Sequence, residues 1–140
     1  MNDEATPGYQ LVDHTSEVTL RLRAPTFPGL VVQATLAFLA LVPDEIRGEV
    51  LHGRRELEVD GGDPTATLVA WLNEMVFHAE AEAWIPVEPG AEEIGESGIR
   101  VRAKAMALSD PFVLVKAATF HDARIREVEG LLQVDVTLDI

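Results

Sequence analysis

The chain has 140 residues, with 24 Asp plus Glu against 11 Lys plus Arg, a formal charge of -13 and no cysteine. The length suits one domain, residues 1–140, with a real core, and 47% hydrophobic against 25% charged residues excludes a disordered acidic tail. The acidic balance argues against stable nucleic-acid binding by the chain itself, because neutralising phosphates requires a Lys/Arg surface. The absence of cysteine removes disulfides, thiolate metal sites and thiol nucleophiles, and makes the cytoplasm the expected address. Residues 1–10 carry neither a basic n-region nor an apolar h-region, so no signal peptide is expected. The longest apolar run, Ala34 to Val42 around Thr35, is too short to span a bilayer, and no membrane partner is expected.

In chain order, Tyr9 to Val12 leads into Asp13-His14-Thr15, after which Val18, Leu20 and Leu22 alternate with Thr19, Arg21 and Arg23. That period of two predicts a half-buried strand. Thr26 before Phe27-Pro28 is a helix cap, and Leu30, Val31, Ala34, Ala37, Phe38 and Leu41 then recur at helical spacing until Pro43. Leu51 to Val59 alternates loosely as a second strand, cut by Asp60-Gly61-Gly62. Asp63-Pro64 starts a second helix whose apolar face is Leu68, Leu72, Met75, Val76 and Ala79, expected to run to about Ala83.

Trp84 to Val87 reads as extended, and Pro89 to Gly98 as a surface loop. Alternation then predicts strands at Ile99 to Ala107 and Leu132 to Ile140, with a further one over Val113 to Phe120. Two helices among six or seven strands, without βαβ regularity, predict an α+β fold: a sandwich of mixed β-sheet with two main helices.

Familiar catalytic apparatus is missing. No Walker-type loop occurs, the serines lie in no G-x-S-x-G context, and His52 and His78 are isolated. What remains is a set of polar residues at element ends: Asp13, His14 and Glu17 at the mouth of the first strand, Lys116 and His121 around a late strand, and Asp139 beside Ile140. Carboxylates and a main-chain terminus are hard oxygen ligands suited to Ca²⁺ or Mg²⁺. Spacing alone favours the plainer reading of Asp139 as a solvent-facing strand residue, which its alternation with Leu138 and Ile140 predicts.

Charge is unevenly placed: no Lys or Arg falls between Arg55 and Arg100, whereas the acidic residues from Glu56 to Glu96 crowd there. This serves solubility, or a docking surface for a basic partner. Arg100, Arg102 and Lys104 share one strand face and are expected to pair with acidic groups of a neighbouring strand or to stay solvated.

Four of these segments together resemble the archease family. Tyr9-Gln10-Leu11-Val12-Asp13-His14-Thr15-Ser16-Glu17 resembles its H-T-A-D motif, and Leu68-Val69-Ala70-Trp71-Leu72-Asn73-Glu74 resembles its L-L-x-x-W-L-N-E helix stretch. Val115-Lys116-Ala117-Ala118-Thr119-Phe120-His121 resembles V-K-A-[VI]-T-[YF]-H, and Asp139-Ile140 resembles its ending on Asp plus an aliphatic residue. The four lie in the family's order from Tyr9 to Ile140.

The resemblance implies a non-enzymatic protein cofactor of an RtcB-type tRNA-splicing RNA ligase. That ligase uses GTP and Mn²⁺ to join a 2′,3′-cyclic-phosphate or 3′-phosphate end to a 5′-hydroxyl, and the cofactor promotes its guanylation and multiple turnover. It further implies a divalent metal, Ca²⁺ or else Mg²⁺ or Mn²⁺, held by Glu17, Asp139 and the Ile140 terminus, with His14, Lys116 and His121 in support. Glu17 departs from the family's Asp by one methylene, and Pro28-Gly29 stands where acidic residues are common. Two other readings are a chaperone-like modulator of another tRNA-processing enzyme such as a methyltransferase, and a metal-dependent hydrolase working through Glu17 and Asp139, which would need an activated water and a general base.

Overall fold

A computed structural model describes residues 7–13, 16–90, 93–119 and 123–140, with Asp13 described in its backbone only. In chain order the strands are β1 (Gly8–Asp13), β2 (Glu17–Ala24), β3 (Arg47–Val50), β4 (Arg55–Asp60), β5 (Trp84–Glu88), β6 (Gly98–Leu108), β7 (Ala117–Thr119), β8 (Arg126–Val128) and β9 (Leu131–Asp139). The two α-helices are α1 (Phe27–Leu41) and α2 (Pro64–Phe77).

Both helices start where the sequence places their caps. The Thr26 hydroxyl accepts from the Gly29 amide at 3.2 Å and Asp63 Oδ1 from the Ala66 amide at 2.8 Å, each with Pro in the first turn. The α-helical part of α2 stops at Phe77, and a π-helical turn over His78–Glu82 carries the chain to left-handed Ala83 (φ 55°) and into β5. Gly61 packs so closely on the start of α2 that a Cβ there would lie 2.2 Å from the Thr67 amide nitrogen. Only glycine fits that approach.

One sheet runs β1-β2-β9-β7, with β8 folded onto β9 through Glu129-Gly130, whose φ values of 52° and 83° make a tight reversal. The other is built on β6. β3 and β4 pair with its successive stretches, while β5 pairs with it over Lys104 to Ala107. The α+β class and the two main helices are as expected, but every described pairing is antiparallel where a mixed sheet was expected. The reason is visible at α2: β4 and β5 run parallel on either side of it in sequence, yet both pair with β6 and do not pair with one another.

Both helices touch both sheets, α1 through β1, β2 and β5, and α2 through β7, β4 and β6. The buried apolar residues therefore form one cluster, centred on Trp71, Phe38, Leu20, Leu72 and Met75. A polar thread crosses it: Trp71 Nε1–H donates to Thr35 Oγ1 at 3.0 Å, and the Thr35 hydroxyl donates to the Val31 carbonyl at 2.8 Å. The strand expected over Val113 to Phe120 is realised only at β7. Residues 110–116 form a loop that starts at Asp110-Pro111 and buries Phe112 and Val115 at non-alternating positions; Phe120 lies outside the described residues.

Candidate metal centre

β2 and β9 are the central pair of the first sheet, and their register sets the site. On their core-facing side Val18, Leu20 and Leu22 meet Leu138, Val136 and Val134. The other side carries the polar partners. Arg21 makes a two-pronged ion pair with Asp135, at 3.0 and 3.1 Å. Arg23 Nε donates to Gln133 Oε1 at 2.8 Å, and Thr19 lies opposite Thr137. The last rung of this ladder places Glu17 directly opposite Asp139.

Directly opposed side chains in an antiparallel pair have Cβ atoms about 4.5–5.5 Å apart, and like charges there are destabilising. Each of the other rungs pairs complementary or neutral groups; this one sets two carboxylates side by side. Asp139 is held from both edges. Its carbonyl accepts from the Lys116 amide at 2.8 Å, Ala117 is its partner across β7, and the Ile140 amide donates to the Ser16 carbonyl at 3.1 Å. The position of Asp139 is thus fixed by the two strands that flank it.

The donors suit a hard cation: two carboxylate side chains of partial exposure that face one another across the strand pair. Among the described residues no three His, Asp or Glu side chains gather into a metal-binding group. Of the supporting residues, Lys116 contributes its amide to Asp139, while the residue itself is exposed and lines a cleft along α2. His14 and His121 lie outside the described residues.

Sequence reasoning overlooked Asn73. Its Nδ2–H donates to the Ala118 carbonyl at 3.0 Å, and its Oδ1 accepts from the Ala118 amide at 2.8 Å. The side-chain amide acts as a neighbouring strand for β7, which in turn flanks Asp139. The resemblance of Leu68 to Glu74 was the one signal that could have marked it.

The other expected features fall elsewhere. Arg100 pairs with Glu58 at 2.7 Å and Lys104 with Glu88 at 3.2 Å, the cross-strand pairing expected of that face. Arg102 lies opposite Glu56. A cleft of about 570 Å³ lined by Phe27, Asp63, Thr65, Arg124 and Leu132 sits towards the other end of β9 and takes in none of the expected site residues. Among the described residues no helix is long and apolar enough to cross a membrane.

The fold recurs in known proteins. A protein archease of Methanopyrus kandleri is 27% identical over 145 residues, covering 94% of this chain and 99% of its own length. One from Methanosarcina mazei is 27% identical over 142 residues, covering 94% and 95%. The crystal structure of a Thermotoga maritima archease, described as a possible chaperone, superposes with a TM-score of 0.66 at 14% identity over 92% of this chain and 94% of that one. The solution structure of protein 1598 from Methanobacterium thermoautotrophicum gives 0.64 at 22% identity, over 95% and 99%. The model of the Archease protein family matches residues 9–140, a span that runs from β1 through the Glu17–Asp139 rung to the final residue, and the chain belongs to that family.

Proposed function

We propose that this chain is a non-enzymatic protein cofactor that activates an RtcB-type tRNA-splicing RNA ligase, promoting its GTP-dependent guanylation and repeated turnover, and that it holds a divalent cation while doing so. The observation that carries the reading is the register of β2 against β9, which places Glu17 opposite Asp139. Glu17 and Asp139 would hold the cation, whose positive charge would offset the repulsion between them. Its chemistry would be to neutralise and bridge carboxylates or phosphate oxygens at the meeting point with the ligase.

The protein's part is positional. Asn73 steadies β7, and β7 and β2 grip Asp139 opposite Glu17. The extra methylene of Glu17 moves its carboxylate further from the strand than an Asp would.

The test is ligase guanylation and ligation with and without this protein. Added protein should raise both rates, while Asp139→Asn and a short extension after Ile140 should each remove the effect. An unchanged guanylation rate at saturating protein overturns the proposal. Calorimetric titration of Ca²⁺, Mg²⁺ and Mn²⁺ into the protein alone tests the cation separately: binding should be lost in Asp139→Asn and altered in Glu17→Asp.

A further inference from the structure

Three large apolar side chains that the core leaves out lie on two segments that the fold brings together, the end of α2 and the loop between β6 and β7. Phe77, the last residue of α2, is 54% exposed, and Val113 and Leu114 in the loop between β6 and β7 are 61% and 48% exposed. The Phe112 amide donates to the Ala79 carbonyl at 3.0 Å, which pins the loop against the π-turn after α2. Phe77 and the loop's last residue, Lys116, share a cleft of about 390 Å³ lined also by Asn73, Val76, Glu80 and Ala81.

Phe77 is not loose. Its ring meets the edge of His78 at 5.2 Å between centroids. His78 has a ring nitrogen 2.9 Å from Glu74 and the other 2.5 Å from Glu82, and stacks on Trp84 at 4.2 Å. An exposed aromatic held by such a scaffold loses little conformational freedom when a partner covers it. Contiguous apolar surface with a polar rim marks an interaction site.

The electrostatics select the partner. Glu80 lines the cleft, exposed Asp110 stands two residues before the loop anchor, and no Lys or Arg occurs between Arg55 and Arg100 on a chain of charge -13. Lys116 is the one cation among the cleft's lining residues. The patch is also continuous with the carboxylate end, because the Lys116 amide is bonded to the Asp139 carbonyl.

We propose that the Phe77–Val113–Leu114 patch is the docking surface for the ligase, which presents an apolar side chain to the cleft with Lys or Arg beside it. Docking there brings the partner against the Glu17–Asp139 end. This rests on the activator reading above and adds the surface to it. It separates two jobs: the patch supplies affinity, and the carboxylate end supplies activation.

The experiment is a titration of guanylation rate, with binding measured in parallel, for wild type, Phe77→Ser/Val113→Ser, Leu114→Ser and Asp139→Asn. The patch variants should raise the half-maximal concentration about tenfold or more, yet reach the wild-type rate at saturation. Asp139→Asn should bind with near wild-type affinity and fail to activate. Backbone hydrogen exchange of the wild-type complex should show protection over residues 76–81 and 112–116, which tests the surface even if a variant misfolds. Wild-type activation with unchanged half-maximal concentrations in the patch variants, or with no protection there, overturns the docking surface alone. Absence of any binding or activation by wild type overturns the activator reading and the docking surface together.

Discussion

Asn73 shows how one side chain can hold a site it does not touch. β7 is a three-residue edge strand, and a strand that short has few ladder bonds of its own. Asn73 offers it one donor and one acceptor in the spacing of a main-chain neighbour, and Ala118, 5% exposed, has both backbone groups satisfied that way. Asn73→Ala therefore strands a buried N–H and C=O, a loss of about 1–3 kcal/mol. Thermal melting should fall by several degrees, and cation binding at Asp139 should weaken because its flanking strand has lost an anchor. An unchanged melting temperature would mean that water replaces the amide fully. The carboxylates could be read from sequence because alternation persists to Asp139, which places that side chain on the polar face. Asn73 could not, since a side chain bonded to backbone 45 residues away leaves no periodic trace.

At the scale of elements, the turn after α2 is the least regular and the most polar junction. Its π-helical geometry lines Glu74, His78 and Glu82 along one edge, and Trp84 Nε1–H donates to Glu82 Oε1 at 3.0 Å with Arg55 lying 4.8 Å over the indole. The His78 hydrogen bond, then that of Trp84, holds the Glu82 carboxyl below its ordinary value of 4.5. A carboxylate with a lowered folded-state pKa stabilises the fold above its unfolded pKa, and the contribution disappears as pH falls through the lowered value. Glu82→Gln should then be less stable than wild type in denaturant at pH 6, with the two curves converging on acidification below about pH 4.5. A gap independent of pH would show that shape, and not charge, matters at Glu82.

The same junction marks where sequence patterns lose their reach. Capped helices and long alternating strands such as β2, β6 and β9 were legible because their periodicity repeats over eight or more residues. The three-residue strands β7 and β8 carry too few positions to show a period. The π-turn differs from an α-helix by one residue per turn within a single turn, and the loop at 110–116 is apolar enough to imitate a strand.

For the whole molecule, a charge of -13 favours a basic partner, but net charge and local charge predict different behaviour. Much of the acidic stretch is already engaged: Glu58 with Arg100, Glu88 with Lys104, Glu74 and Glu82 with His78. Glu80 lines the cleft beside Phe77, whereas Glu127 pairs across β8 with Leu132, seven residues along β9 from Asp139. Glu80→Lys and Glu127→Lys change the net charge equally. Exposed charges further apart than about 10 Å are largely screened at 0.1 M salt, so only the change inside the contact should persist there. Glu80→Lys should slow association with the ligase several-fold at 0.1 M salt, with the difference shrinking towards about 1 M as the screening length falls to ~3 Å. Glu127→Lys should stay close to wild type throughout. Equal slowing by the two would show that the acidic surface acts as a diffuse field, steering the partner without a defined point of contact.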